Sequence, residues 1–179
     1  MKGTRDDAGA YGYEFDMLLG THRLMKEHAM KPLAGWNIYV ANAYLEAYLV
    51  HARNLIEFFL TAPTKDNISA VDFLENGWTP SGPHVDRLKL LKEALHKRLS
   101  HLTRTRHQEF EGYRDLQTTV GLVRLSNDFH RRITSDCPEA VEWFADARRS
   151  IESFYQASLK GLVTYAHGPE SGDGAGSVT

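Results

Sequence analysis

The chain has 179 residues, of which 42% are hydrophobic and 25% are charged, a composition typical of one globular domain and not of a disordered chain. Its 21 lysines and arginines nearly balance 23 aspartates and glutamates, and the net charge of -2 excludes a chain-wide attraction to nucleic acid or anionic membrane. A single cysteine, Cys137, excludes an intramolecular disulfide, and no stretch reaches the roughly 18 to 20 apolar residues of a membrane span. We therefore expect a cytoplasmic protein that does not enter the membrane.

Apolar residues at helical spacing predict the first two helices. The first is expected over residues 13–30 and ends before Pro32. The second is expected over residues 35–61, where the strongest periodic pattern of the chain lies, and Pro63 ends it. Its apolar residues recur at steps of three and four and so share one face: Leu45, Tyr48, Leu49, Ala52, Leu55, Ile56 and Phe59.

The rest of the chain continues the helical pattern after a long connection. Residues 62–83 hold three prolines and two glycines, which predicts a connection with a short helical turn over 70–75. A leucine stripe then predicts a third helix ending near Leu102, and two further helices are expected over 116–133 and 139–162. Because strand-like alternation is missing from the sequence, we predict an all-α, up-and-down bundle of about five helices.

Composition also predicts the domain boundaries. We expect residues 1–10 to form a flexible N-terminus and residues 11–163 to form a single helical bundle domain. Residues 164–179 are rich in glycine and serine and nearly free of apolar side chains, which predicts a disordered tail.

Two segments resemble a family of uncharacterised bacterial helical proteins. Residues 51–59, His-Ala-Arg-Asn-Leu-Ile-Glu-Phe-Phe, match an HxRNLxxFF motif, and residues 97–103, Lys-Arg-Leu-Ser-His-Leu-Thr, match a KxLxHLT motif. The resemblance covers residues 44–106. More distantly, the layout resembles the HEPN superfamily of helical nucleotide-binding proteins. That resemblance implies a HEPN-like bundle, a homodimer, and either RNA cleavage at a site shared by two subunits or a non-catalytic binding role.

The HEPN resemblance implies two candidate catalytic pairs. Ribonucleases of the superfamily use an arginine, a short polar residue and a histidine four to six residues apart. Arg124 and His130 have five intervening residues, but Leu125 stands where the polar residue is typical. Arg53 and His101 form the second candidate pair. Whether the protein is an enzyme stays open at this point; if it is one, we expect a metal-independent ribonuclease.

A second candidate site is a polar cluster between the second and third helices. Arg53 and Glu57 are one turn apart on one helix, and Lys97 and His101 are one turn apart on the other. One interpretation is an anion or nucleotide-phosphate site, with charge-assisted hydrogen bonds from the cations. The other is structural, with an internal ion pair and a histidine bonded to its helix end. The expected binding residues are Asn54, Glu57, Lys97, Thr103 and Arg106.

Two further alternatives concern partners and metals. A basic run of Arg98, Arg104 and Arg106 predicts contact with RNA or a nucleotide, although no aromatic residues are interleaved for base stacking. The chain also holds nine histidines, and a metal-binding bundle would use His51, His96 or His101, and His130. Because the sequence has no HExxH motif, we expect no metal and no other cofactor. The leading hypothesis is a binding or structural module.

Overall fold

The computed structural model describes residues 2–30, 38–100 and 116–166. These described residues form five α-helices and two 3₁₀ helices and no strand, which confirms the all-α prediction. No described helix is long and apolar enough to cross a membrane. The α-helices are α1 (Arg5–Met30), α2 (Ile38–Leu60), α3 (Pro83–Ser100), α4 (Leu116–Asp136) and α5 (Ala145–Ala166), and the 3₁₀ helices are Ala70–Phe73 and Pro138–Phe144.

Helix α1 begins at Arg5, so the predicted start at residue 13 and the predicted flexible N-terminus over 1–10 are corrected. The Thr4 hydroxyl accepts a hydrogen bond from the Asp7 backbone N–H at 3.2 Å, and the Asp7 carboxylate accepts one from the Thr4 N–H at 2.8 Å. This reciprocal capping satisfies backbone donors that a helix otherwise leaves unpaired. Ala8, one turn further along, is fully buried. The domain therefore begins before residue 11.

The residues before α1 are held against the Ala70–Phe73 helix. The N–H groups of Lys2 and Gly3 both donate to the Asp72 carbonyl, at 2.7 and 2.9 Å. This helix lies within the turn predicted over 70–75, and Ser69 begins it with a capping box. Its last residue, Phe73, is fully buried. The N-terminal segment thus closes one side of the core.

We expect Gly3→Ala to lower the free energy of unfolding by roughly 1 to 3 kcal/mol, because it overpacks this contact. A Cβ atom at this position would lie 2.4 Å from the Phe73 ring, which has no room to move. Urea denaturation followed by circular dichroism measures the change. Gly9→Ala is the matched control: a Cβ there meets nothing within 4 Å, and alanine favours the helix. Equal stability of Gly3→Ala and the parent would contradict this packing.

The helices enclose one core. Helix α1 packs along α2 and also contacts α5, while α2 contacts α3 and α4. Phe129 of α4 lies at the centre, and six aromatic rings have centroids between 5.3 and 6.3 Å from its own. These rings belong to Tyr11, Phe58, Phe59, Phe73, Trp78 and Phe144.

The last predicted helix divides into two elements. Residues 138–144 wind as a 3₁₀ helix, in which the Ala140 N–H donates to the Cys137 carbonyl at 3.0 Å, and α5 follows. This short helix contacts α1, α4 and α5 and so sets how α4 and α5 meet. Of the predicted tail, residues 164–166 end α5, and residues 167–179 lie outside the described part of the chain.

Candidate functional site

A groove of about 700 Å³ runs between α4 and α5. Four arginines line it, and we name it the arginine groove after them: Arg124, Arg131, Arg148 and Arg149. His130 also lines it, so the structure brings Arg124 and His130, one of the predicted pairs, into one site. Among the described residues that line the groove, none is phenylalanine, tyrosine or tryptophan.

Amphipathic patterning turns the arginines outward. On α4, the apolar residues Leu122, Leu125 and Phe129 are fully buried, whereas Arg124 and Asn127 are exposed. On α5, Ala147 and Ile151 are buried at a spacing of four, and the two arginines between them are exposed. The groove is therefore the place where the polar faces of two amphipathic helices meet.

Two of the four guanidinium groups are already paired. Arg131 contacts the Asp128 carboxylate and Arg149 contacts the Asp146 carboxylate, each one turn away on the same helix. Arg124 and Arg148 make no ion pair within the described part of the chain. Pairing within one helix lowers the attraction of Arg131 and Arg149 for an outside anion, so the unpaired arginines carry most of the available positive charge.

His130 is the buried member of the site. Its ring is 9% exposed and packs edge-on against Tyr11 and obliquely against Phe129 and Phe144. Burial, with a smaller contribution from the nearby charge of Arg148, lowers the pKa of His130 to about 4. The ring is therefore neutral at neutral pH. Its Nε2 atom is buried and has no hydrogen-bond partner in the described structure.

The predicted cluster around Arg53 is only partly described. Arg53 Nε lies 3.7 Å from Glu57 Oε1, which places the ion pair that the structural interpretation expects. Asn54 and Glu57 line a separate cavity of about 230 Å³. The remaining cluster residues cannot be placed beside them, because the Lys97 and Arg98 side chains, His101, Thr103, Arg104 and Arg106 lie outside the described residues.

The described histidines have different neighbours. His51 Nδ1 lies 2.7 Å from Glu14 Oε2, which ties α2 to α1. His22 Nδ1 lies 3.1 Å from the Thr119 hydroxyl, which in turn lies 2.9 Å from the Tyr48 hydroxyl. Among residues 2–30, 38–100 and 116–166, no three histidine, cysteine, aspartate or glutamate side chains form a metal-binding group. The metal-binding hypothesis gains no support from these helices.

Three of the four arginines that line the groove, Arg131, Arg148 and Arg149, were not expected from the sequence. Arg148 and Arg149 lie in the first turns of α5, and the adjacent pair of arginines opposite a buried face was the signal that could have identified them. Their proximity to Arg124 and His130 could not be read from sequence spacing, because it depends on how α4 and α5 pack. Of the residues that line the groove, sequence analysis named Arg124 and His130.

Fold and site together define an all-α bundle with an arginine-lined groove between two helices. Comparison with known proteins gives no match: no family model, no curated protein and no solved structure matches this chain. The resemblances to the bacterial family and to HEPN proteins therefore stay predictions, and function has to be argued from the groove.

Proposed function

We propose that this protein is a binding module that holds a phosphate-bearing ligand, a nucleotide or RNA, in the arginine groove. The observation that carries the proposal is that one groove contains two guanidinium groups, those of Arg124 and Arg148, that make no ion pair with any described residue. The planar guanidinium matches two phosphate oxygens at once, so arginine is a preferred residue for phosphate recognition. The sequence resemblance to HEPN proteins favours nucleotide chemistry among phosphate ligands.

The charge distribution supports a local site. With a net charge of -2, the chain as a whole does not attract a polyanion, so any attraction has to come from the groove. No phenylalanine, tyrosine or tryptophan is among the described lining residues, so none of these residues offers an aromatic ring on which bases stack. We therefore expect phosphate contacts to dominate, with binding that weakens as salt rises and varies little with base sequence.

Arg148→Glu is expected to weaken the binding of a short single-stranded RNA at least about tenfold, because it replaces a charge-assisted hydrogen bond with a repulsive charge. Fluorescence anisotropy of labelled RNA measures the dissociation constant at low salt. Lys89→Glu is the matched control, because it makes the same charge change on the exposed face of α3. An equal loss in both variants, or no loss in Arg148→Glu, would refute binding in the groove.

An endoribonuclease is the second candidate, and the joint position of Arg124 and His130 in one groove favours it. A neutral histidine can accept the proton of a ribose 2′-hydroxyl, whose oxygen attacks the adjacent phosphorus and displaces the 5′-oxygen. Two observations favour binding over this reaction. Leu125 is fully buried and offers no polar group beside Arg124, and the Nε2 atom of His130 is shielded from solvent.

Incubation with a mixed RNA pool separates the two candidates. Cleavage by the parent that is lost in His130→Gln, with unchanged circular dichroism, would establish the ribonuclease. His101→Ala is tested in parallel, because His101 lies outside the described residues and its predicted pairing with Arg53 is tested only by this variant. A folded parent that binds RNA and leaves it intact supports the binding module.

Several expectations accompany the proposal without a structural observation of their own. The homodimer follows from the HEPN resemblance, and sedimentation velocity tests it. RNA contact through Arg98, Arg104 and Arg106 and a cytoplasmic location remain predictions of the sequence. For the second cluster, the Arg53–Glu57 ion pair favours the structural interpretation, because the carboxylate neutralises the guanidinium.

A further inference from the structure

We propose that the arginine groove binds a single nucleotide unit through its terminal phosphate, either a free nucleotide or the phosphorylated end of an RNA. The phosphate lies at the end of the groove formed by His130 and Arg148, and the ribose lies toward Asp128 and Glu152. This inference rests on the proposed function, because it assumes that the groove holds a phosphate-bearing ligand. The groove recognises the terminal phosphate and the ribose of that ligand.

Positive charge is concentrated at one end of the groove. Arg131 follows His130 directly on α4, the charge of Arg148 acts on the His130 ring, and Arg149 is the next residue on α5. Arg124 lies six residues before His130, which is about 9 Å along the helix axis. Arg148, which makes no ion pair among the described residues, therefore lies at the His130 end beside the paired Arg131 and Arg149, and a terminal phosphate with a charge close to -2 is stabilised best there.

His130 gives the same end a neutral polar group inside the wall. Its side chain is nine-tenths buried, it lines the groove, and its Nε2 atom has no hydrogen-bond partner in the described structure. An unpaired polar atom in such a place is costly unless a ligand or water satisfies the group. The His130 ring thus forms part of the wall at this end, and Arg148, whose charge acts on the ring, supplies the phosphate contact.

Carboxylates lie along the rest of the groove. Asp128 of α4 contacts Arg131, and Glu152 of α5 accepts a hydrogen bond from the Gln156 amide at 2.8 Å. A continuous RNA strand laid along the groove would bring its phosphates close to these negative charges. Ribose hydroxyl groups, by contrast, are good donors to a carboxylate. The arrangement of positive side chains at one end and carboxylates beyond it therefore fits a ligand with one phosphate followed by one sugar.

The size and the remaining lining agree with this ligand. A volume of about 700 Å³ falls within the range usual for small-molecule sites. Asn127, on the same stretch of α4, offers an amide that both donates and accepts hydrogen bonds. The guanidinium of Arg124 is planar and can stack on a base, a role that no aromatic side chain fills among the described lining residues.

Titration with defined probes tests the inference on the full chain. The probes are adenosine monophosphate, inorganic phosphate, and one short RNA with and without a 5′-phosphate. We expect the monophosphate and the phosphorylated RNA to compete for one site, and loss of the 5′-phosphate to weaken RNA binding at least about tenfold. If the free nucleotide binds more tightly than the phosphorylated RNA, the ligand is a free nucleotide. If the RNA binds more tightly, the ligand is an RNA end.

The Glu152→Ala variant distinguishes loss of a ribose hydrogen bond from a change in the charge of the groove. We expect this variant to weaken monophosphate binding several-fold and to leave inorganic phosphate binding unchanged or tighter, because a ribose contact is lost and a repulsive charge is removed. Glu142→Ala, which removes an exposed carboxylate outside the groove, should change neither. Equal RNA affinity with and without the 5′-phosphate, combined with tighter RNA binding by Glu152→Ala, would overturn the inference while leaving an RNA-binding groove. If none of the probes binds, the proposed function fails as well.

Discussion

Phe129→Ala is expected to lower the free energy of unfolding by about 3 to 5 kcal/mol. Phe129 is fully buried, and its ring is surrounded by aromatic side chains from α1, α2, the two 3₁₀ helices and the segment that carries Trp78. Alanine removes the ring and leaves a cavity. The surrounding helices also pack against one another, so they cannot move in far enough to fill it.

Urea denaturation monitored by circular dichroism at neutral pH measures this effect as a shift of the midpoint at constant slope. Leu90→Ala is the matched control: Leu90 is 72% exposed on α3, so its truncation should change stability by no more than about 0.5 kcal/mol. A loss below about 1 kcal/mol for Phe129→Ala would show that this ring is not the centre of the core.

Acidification from pH 6.5 toward pH 4 is expected to destabilise the protein through two buried histidines. Burial lowers the pKa of His22 and of His130 from 6.5 to about 4, with smaller contributions from Lys26 and Arg148. Above pH 6.5 both rings are neutral in the folded and unfolded chains, and they add no pH dependence. Below it, the unfolded chain takes up protons that the folded chain excludes, so stability falls until the pH reaches about 4.

His130→Leu isolates one of these contributions. Each proton taken up on unfolding changes the free energy by up to about 1.4 kcal/mol per pH unit, so removing the His130 ring should flatten the dependence by a comparable amount. Denaturation curves at several pH values between 6.5 and 4 give the slopes. His96→Leu, on the exposed side of α3, should keep the slope of the parent. The same slope in His130→Leu and the parent would rule out a buried neutral histidine at this position.

The helices could be predicted from the sequence because their signal is local. The leucines and aromatics of α2 recur at helical spacing, and all seven of the apolar residues named for it are buried. Leu88 and Leu95 of the third helix are buried as well. The prediction failed at residues 5–10, where the helix depends on capping by Thr4 and Asp7 and on a carbonyl far along the chain, that of Asp72. These polar contacts leave no periodic pattern of apolar residues that sequence analysis could detect.

The candidate site was predicted only in part, and the reason is the same. Arg124 and His130 share one helix, so their spacing was visible in the sequence. The Arg53–Glu57 pair was visible for the same reason and forms an ion pair. Arg148 belongs to the same groove only because the fold places α5 beside α4, with the Pro138–Phe144 helix contacting both. No pattern within a single helix predicts that the polar faces of α4 and α5 line the same groove.

By itself, the sequence determined the all-α class, the apolar faces of the helices and the place of Arg124 and His130 on one helix, since these follow from spacing along single helices. The tertiary structure decided which polar faces meet, which arginines stay unpaired and which histidines stay neutral. The pKa of His130 shows why. It falls because Tyr11 and Phe144 help bury the ring and Arg148 lies nearby, and these residues come from other parts of the chain. Charge and burial depend on distances in space, and folding sets those distances.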